Sequence, residues 1–205
     1  MTKSDKKHEL ASPSNGLRAL RDRLEATGAP VSAVRIRNAQ RTTILVLDAS
    51  LSMAGSETEV RRGALSFASE ALPASAVGVI RFGSRVSVDI APSRVGDDVR
   101  RACSSYRADL GGTTLAPALE AAEGLLGTHR ARTIVVVSDG VPADSTQSIA
   151  VARAIRDRGV RIVAIGTTGA DAAFLAAIAG DPARSTLVNR DRLAVAITDV
   201  TRLLR

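Results

Sequence analysis

The side chains in this sequence best suited to chemistry are oxygen donors, and they stand at the ends of apolar runs. Thr43-Ile44-Leu45-Val46-Leu47 leads directly into Asp48, and hydroxyls follow at every second position, Ser50 and Ser52. Thr133-Ile134-Val135-Val136-Val137 leads in the same way into Ser138-Asp139-Gly140. Between them, Gly111-Gly112-Thr113-Thr114-Leu115 reads as a glycine turn that opens a helix and exposes a hydroxyl. Carboxylates and hydroxyls are hard ligands that suit Mg²⁺, Mn²⁺ or Ca²⁺ and suit soft metals poorly. Taken singly, each residue has a plainer reading. A Ser or Thr at a helix start is commonly an N-cap, and an Asp after a strand commonly caps the next helix.

The elements that must position these groups are legible from periodicity. Unbroken β-branched runs such as 42–48 and 132–138 are expected to be strands buried on both faces, as in the middle of a parallel sheet. Ligands of open α/β sheets bind outside the carboxyl ends of the strands, which is where Asp48 and Asp139 fall. Further strands are expected at 76–82, 160–166 and 186–188, with an antiparallel edge strand at 86–90 after a tight Gly83-Ser84 turn. Helices are expected at 56–72 with an inner stripe of Val60, Ala64, Phe67 and Ala71, then at 97–106, 114–126, 145–158, 171–179 and 191–204. Ser56-Glu57-Thr58-Glu59 suits the start of the first of these, and Pro117 is tolerable in a first turn. Strands alternating with helices give an α/β fold with a parallel sheet covered on both faces and right-handed connections.

Together, Asp48-x-Ser50-x-Ser52, Thr113 and Asp139 resemble the metal-ion-dependent adhesion site (MIDAS) of the von Willebrand factor A (vWA) domain family, with all five positions filled in the family's order. The resemblance covers about residues 42 to 204. Gly112-Thr113-Thr114-Leu115-Ala116-Pro117-Ala118-Leu119 and Val137-Ser138-Asp139-Gly140 are most similar to the intracellular bacterial branch, including the A domain of magnesium chelatase D-type subunits. The resemblance implies a Rossmann-like three-layer α/β/α sandwich whose six-stranded sheet has the order 3-2-1-4-5-6. It implies that Ser50, Ser52 and Thr113 bind Mg²⁺ directly, with Mn²⁺ or Ca²⁺ as substitutes. Asp48 and Asp139 act through water or orient the hydroxyls. A Glu or Asp from a partner protein completes the shell. The function implied is a non-enzymatic protein-protein interaction module in an intracellular bacterial complex. The first partner to look for is an AAA+ ATPase of the chelatase or MoxR type, carried on another chain.

Composition bounds these expectations. A chain of 205 residues with 45% hydrophobic and 24% charged residues is long enough for one ordinary domain with a full core. Residues 1–16 read as a flexible polar tail, 17–41 as a short helix and extended arm, and 42–205 as the vWA domain. Aromatics at 2% do not supply the stacking platforms that single-stranded nucleic acid needs. The net charge of +7 is spread along helix faces near acids, without a clustered basic helix, so nucleic acid is not the expected partner. Cys103 is alone and is expected to be a buried, inert thiol. His8 and His129 have no ligand company and are expected on the surface. The polar start and the lack of a run of apolar residues long enough to span a bilayer point to the cytoplasm and away from a membrane. There is no GxxxxGK[ST], GxGxxG or GxSxG motif, which sets aside P-loop, dinucleotide and serine-hydrolase chemistry. Two rivals stay open: a Mg²⁺-dependent phosphoester hydrolase built on Asp48, and a scaffold that uses the fold without metal. The hydrolase reading is weakened by Ser50, which stands where a DxD motif needs its second acid.

Overall fold

The computed structural model describes residues 41–72, 74–129 and 131–204. The tail and the helix and arm expected in residues 1–40 lie outside them, and Arg41, read as the end of the arm, is the first residue of a strand. Six strands form one sheet: β1 (Arg41–Asp48), β2 (Ser75–Phe82), β3 (Val86–Arg94), β4 (Ala131–Ser138), β5 (Arg161–Thr167) and β6 (Ser185–Val188). Their order is β3-β2-β1-β4-β5-β6, with β3 antiparallel to β2 and every other neighbouring pair parallel. The fold is therefore the expected α/β sandwich with one antiparallel edge strand.

Why β1 reads as an unbroken apolar run follows from the layers. Residues 42–48 are all buried because the sheet is covered on both faces. Leu45 and Leu47 point to one face, with Val77, Val79, Val135, Val137, Val163 and Ile165. Ile44 and Val46 point to the other, with Ile80, Phe82, Ile134, Val136, Ile162 and Ala164. The first face is closed by helices α1 (Glu57–Glu70), α2 (Asp97–Ser104) and α6 (Leu193–Leu203), through Val60, Phe67, Val99, Cys103, Ile197 and Val200. The second is closed by α3 (Ala116–Leu126), α4 (Ser145–Asp157) and α5 (Ala172–Ala179), through Leu119, Ala122, Ile155, Phe174, Leu175 and Ile178. The inner stripe expected on the first helix holds: Val60, Ala64 and Phe67 are buried, and Ala71 packs at the margin.

Several element ends differ from expectation, each for a local reason. Residues 51–56 form a 3-10 turn before α1, because Met53 turns down into the core and its N–H bonds the Ser50 carbonyl. Ser56 does not cap α1: its backbone is already near-helical, and its buried hydroxyl has no hydrogen-bond partner. The edge strand runs on to Arg94, carried past Pro92 by irregular pairing opposite Gly78. The closing helix begins at Leu193 behind a 3-10 turn at Arg190–Arg192. Cys103 is buried and its thiol is pushed up to about 12, chiefly by desolvation, so it stays neutral and inert. Arg62, Arg100 and Arg101 pair with acids three residues away on solvated helix faces, as expected, whereas Arg61 pairs with Glu57 but is half-buried and also donates to the Tyr106 carbonyl. No described helix is long and apolar enough to cross a membrane.

Candidate metal centre

Strand register assembles the site. Leu47 of β1 pairs with Val137 of β4, so the next residues, Asp48 and Ser138, emerge side by side at adjacent strand ends. This is also where the strand order reverses direction, the crevice in which open α/β sheets hold ligands. Asp48 is fully buried. Its Oδ1 accepts the Ser50 N–H at 2.9 Å and its Oδ2 accepts the Ser138 hydroxyl at 2.6 Å. Burial raises its carboxyl above the ordinary 3.8; the Ser138 and Ser50 hydrogen bonds pull it down, and Asp139 adds to the rise. The buried Tyr106 hydroxyl donates to the Asp48 backbone carbonyl and fixes the strand end from below.

The loop that follows presents the hydroxyls. Ser50 Oγ and Ser52 Oγ are 3.0 Å apart, and Ser52 donates to Asp139 Oδ1 at 2.7 Å. Asp139 is 7% exposed, whereas Ser52 is open to solvent. Asp48, Ser50, Ser52 and Asp139 are thus linked by hydrogen bonds across two segments far apart in sequence, the end of β1 with its loop and the end of β4.

Thr113 reaches the same place through its backbone. The Leu110 N–H bonds the Ala49 carbonyl at 2.9 Å, and the Leu51 N–H bonds the Gly111 carbonyl at 3.1 Å. On the other side the Ala143 N–H bonds the Thr113 carbonyl at 2.9 Å. The glycine loop is therefore laced between the segment that carries Ser50 and the segment that follows Asp139. The β2–β3 turn supports it from outside, with Ser84 N–H on the Leu110 carbonyl at 2.7 Å and Thr114 N–H on the Gly83 carbonyl at 3.1 Å. A Cβ on Gly83 would stand 2.6 Å from Leu110, so only glycine permits that approach.

The plainer readings of the two outlying residues fail here. Helix α3 starts at Ala116, three residues beyond Thr113, and no side chain of its own loop caps it. Its first N–H groups, those of Leu115 and Ala116, bond instead to the Asp144 carboxylate at 2.9 and 2.8 Å. Asp139 does not cap the next helix either, since Asp144 occupies the N-cap position of α4. Neither the Thr113 hydroxyl nor the Asp139 carboxylate is therefore taken up in capping a helix.

The donor set suits a hard divalent ion. Among the described residues no three His, Cys, Asp or Glu side chains gather; the oxygens grouped at these strand ends are two carboxylates and the hydroxyls beside them. Adjacent oxygens of an octahedron with bonds of about 2.1 Å are about 3.0 Å apart. The Ser50–Ser52 separation of 3.0 Å meets that edge. A cavity of about 320 Å³ lies at the opposite end of the sheet, lined by residues that include Arg41, Arg132, Arg161 and Gly159, and none of the five candidate residues faces it. Sequence reasoning missed Ser138, Tyr106, Asp144 and Arg190, whose Nη2 is 3.8 Å from Asp139 Oδ2. Ser138 was within reach as the residue between a buried strand and an acid; the other three act across the fold and carry no local signal.

The family model of the von Willebrand factor type A domain matches residues 43–202. The human collagen alpha-6(VI) chain is 30% identical over 124 residues, which is 60% of this chain and 5% of that protein. The chain thus spans a small fraction of the curated relative it matches. Among solved structures, proximal thread matrix protein 1 of the mussel byssus, with a zinc-occupied MIDAS motif, aligns at a TM-score of 0.69 and 22% identity over 81% of this chain and 46% of that one. The BatB protein of Bacteroides thetaiotaomicron aligns at 0.64 and 16% identity, over 80% and 97% of the two chains. At these identities the structural likenesses bear on the fold.

Proposed function

Because the chain belongs to the von Willebrand factor type A domain family, whose members serve as protein-interaction modules, we propose that it binds a partner protein through a metal held by Asp48, Ser50, Ser52, Thr113 and Asp139. The observation that carries this reading is the hydroxyl pair of Ser50 and Ser52, 3.0 Å apart and backed by two carboxylates. Ser50, Ser52 and Thr113 act as direct ligands. Asp48 orients the Ser50 segment, and Asp139 takes the hydrogen bond of the Ser52 hydroxyl. Bound there, Mg²⁺ would supply a Lewis-acidic position that a carboxylate can fill. Neutral hydroxyls leave the ion's charge largely uncompensated, which favours an incoming Glu or Asp. Mn²⁺ and Ca²⁺ fit the same oxygen chemistry.

The reading is non-catalytic, as the family likeness implies: the Ser52 hydroxyl beside Asp139 is read as a metal ligand and its acceptor, not as a nucleophile and its base. The cytoplasm is the proposed location, and an AAA+ ATPase of the chelatase or MoxR type is the partner to test first, on the sequence likeness to the intracellular bacterial branch. The test is affinity capture from an extract of the source cells with Mg²⁺, with EDTA, and with a Ser50→Ala/Ser52→Ala variant. A partner retained by the wild type in Mg²⁺ alone, and lost when its own Asp or Glu residues are neutralised, is the expected result. The same proteins in every lane would overturn the reading.

A further inference from the structure

Arg190 places a guanidinium where the metal's charge would act. It lies in the turn after β6, and Nη2 stands 3.8 Å from Asp139 Oδ2. The other end of the group lies over Gly55 of the 51–56 turn, where an added Cβ would be 3.0 Å from Nη1. The backbone beneath is fixed: Arg192 N–H bonds the Asn189 carbonyl at 2.9 Å, Leu193 N–H bonds the Arg190 carbonyl, and Leu193 is fully buried. The side chain itself is 55% exposed. With the cation half in solvent and no hydrogen bond at this distance, the contact adds little to stability. Its electrostatic effect on the neighbouring site is another matter, because Asp139 is the one acid of the site that the cation faces.

We infer that Arg190 is a tethered cation that competes with the divalent metal for Asp139 and sets how much free metal the site needs. This rests on the proposed metal site and adds its regulation. With the metal absent, the guanidinium partly neutralises Asp139. A divalent ion drawn to the same carboxylate meets a like charge and must displace it into solvent, which its exposure allows. The repulsion between a half-solvated guanidinium and a divalent ion at this range, reduced by water and salt, sets a change of about threefold to tenfold in affinity as the expected scale.

The experiment is calorimetric titration of the full chain with Mg²⁺ alone at low ionic strength, for the wild type, Arg190→Ala, Arg190→Lys and Arg192→Ala. Arg192→Ala removes the same charge from the same turn and controls for net charge. The inference expects Arg190→Ala to bind Mg²⁺ about threefold to tenfold more tightly, the other two to stay near the wild type, and the gap to narrow as NaCl is raised. Binding by Arg190→Ala where the wild type shows none would support it as well. Equal or weaker binding by Arg190→Ala overturns the inference while leaving the metal site standing, as does equal tightening by Arg192→Ala. No binding by any of the four overturns both.

Discussion

At Asp48, burial and hydrogen bonding act in opposite directions on one carboxylate. Desolvation is the larger effect, so its folded value lies above the ordinary 3.8. An acid raised on folding opposes folding while ionised, and the cost is relieved as pH falls through the folded value. Asparagine removes the charge and keeps an oxygen for the Ser50 N–H. Its amide can donate to Ser138 Oγ, whose own proton has the Gly140 carbonyl 3.4 Å away. Asp48→Asn is therefore expected to melt in EDTA at pH 7 at or above the wild-type temperature, yet to gain nothing from Mg²⁺. Scanning calorimetry in the two buffers reads both; a variant that melts well below the wild type in EDTA would show that the carboxylate's hydrogen bonds outweigh its desolvation.

Among the elements, the 110–114 loop is the part of the site held by others. Its main chain is bonded to the β1 loop, to the β2–β3 turn and to Ala143, and Asp144 anchors the start of α3 with both carboxylate oxygens. Asp144 also accepts the Ser148 hydroxyl at 3.1 Å, so one side chain ties α3 to α4. Removing such a cap costs about 1–2 kcal/mol, which in a domain of this size is about 2–8 °C of melting temperature. Asp144→Ala is expected to lose stability in that range and, by loosening Thr113, to weaken Mg²⁺ binding as well. Melting curves and a metal titration separate the two effects. Unchanged metal affinity would mean that Asp144 secures the helices but not the loop.

For the whole molecule, the two apolar layers on either face of the sheet close without help from the site. The fold should therefore persist without metal, and metal should add stability by mass action. At a free Mg²⁺ concentration of about a hundred times Kd the gain is about 2.7 kcal/mol, or about 5–10 °C. Circular dichroism is expected to show the same secondary structure in EDTA and in Mg²⁺, with the melting temperature shifted by that amount in the wild type and unshifted in Ser50→Ala/Ser52→Ala. Unfolding in EDTA would make the metal structural rather than a docking point.

Local pattern in the chain determined much of this protein. Apolar runs buried on both faces marked β1 and β4, helical spacing marked Val60, Ala64 and Phe67, and the oxygen donors declared themselves by standing at strand ends. These signals are readable because period and polarity are properties of neighbouring residues. The hydrogen bonds from Ser138 to Asp48 and from Ser52 to Asp139, the capping of α3 by Asp144 and the approach of Arg190 join residues tens of positions apart. Only the register of parallel strands and the lacing of loops bring such groups within 4 Å. That is why the tertiary structure alone decided that Thr113 and Asp139 cap no helix, and that a cation stands beside the acid.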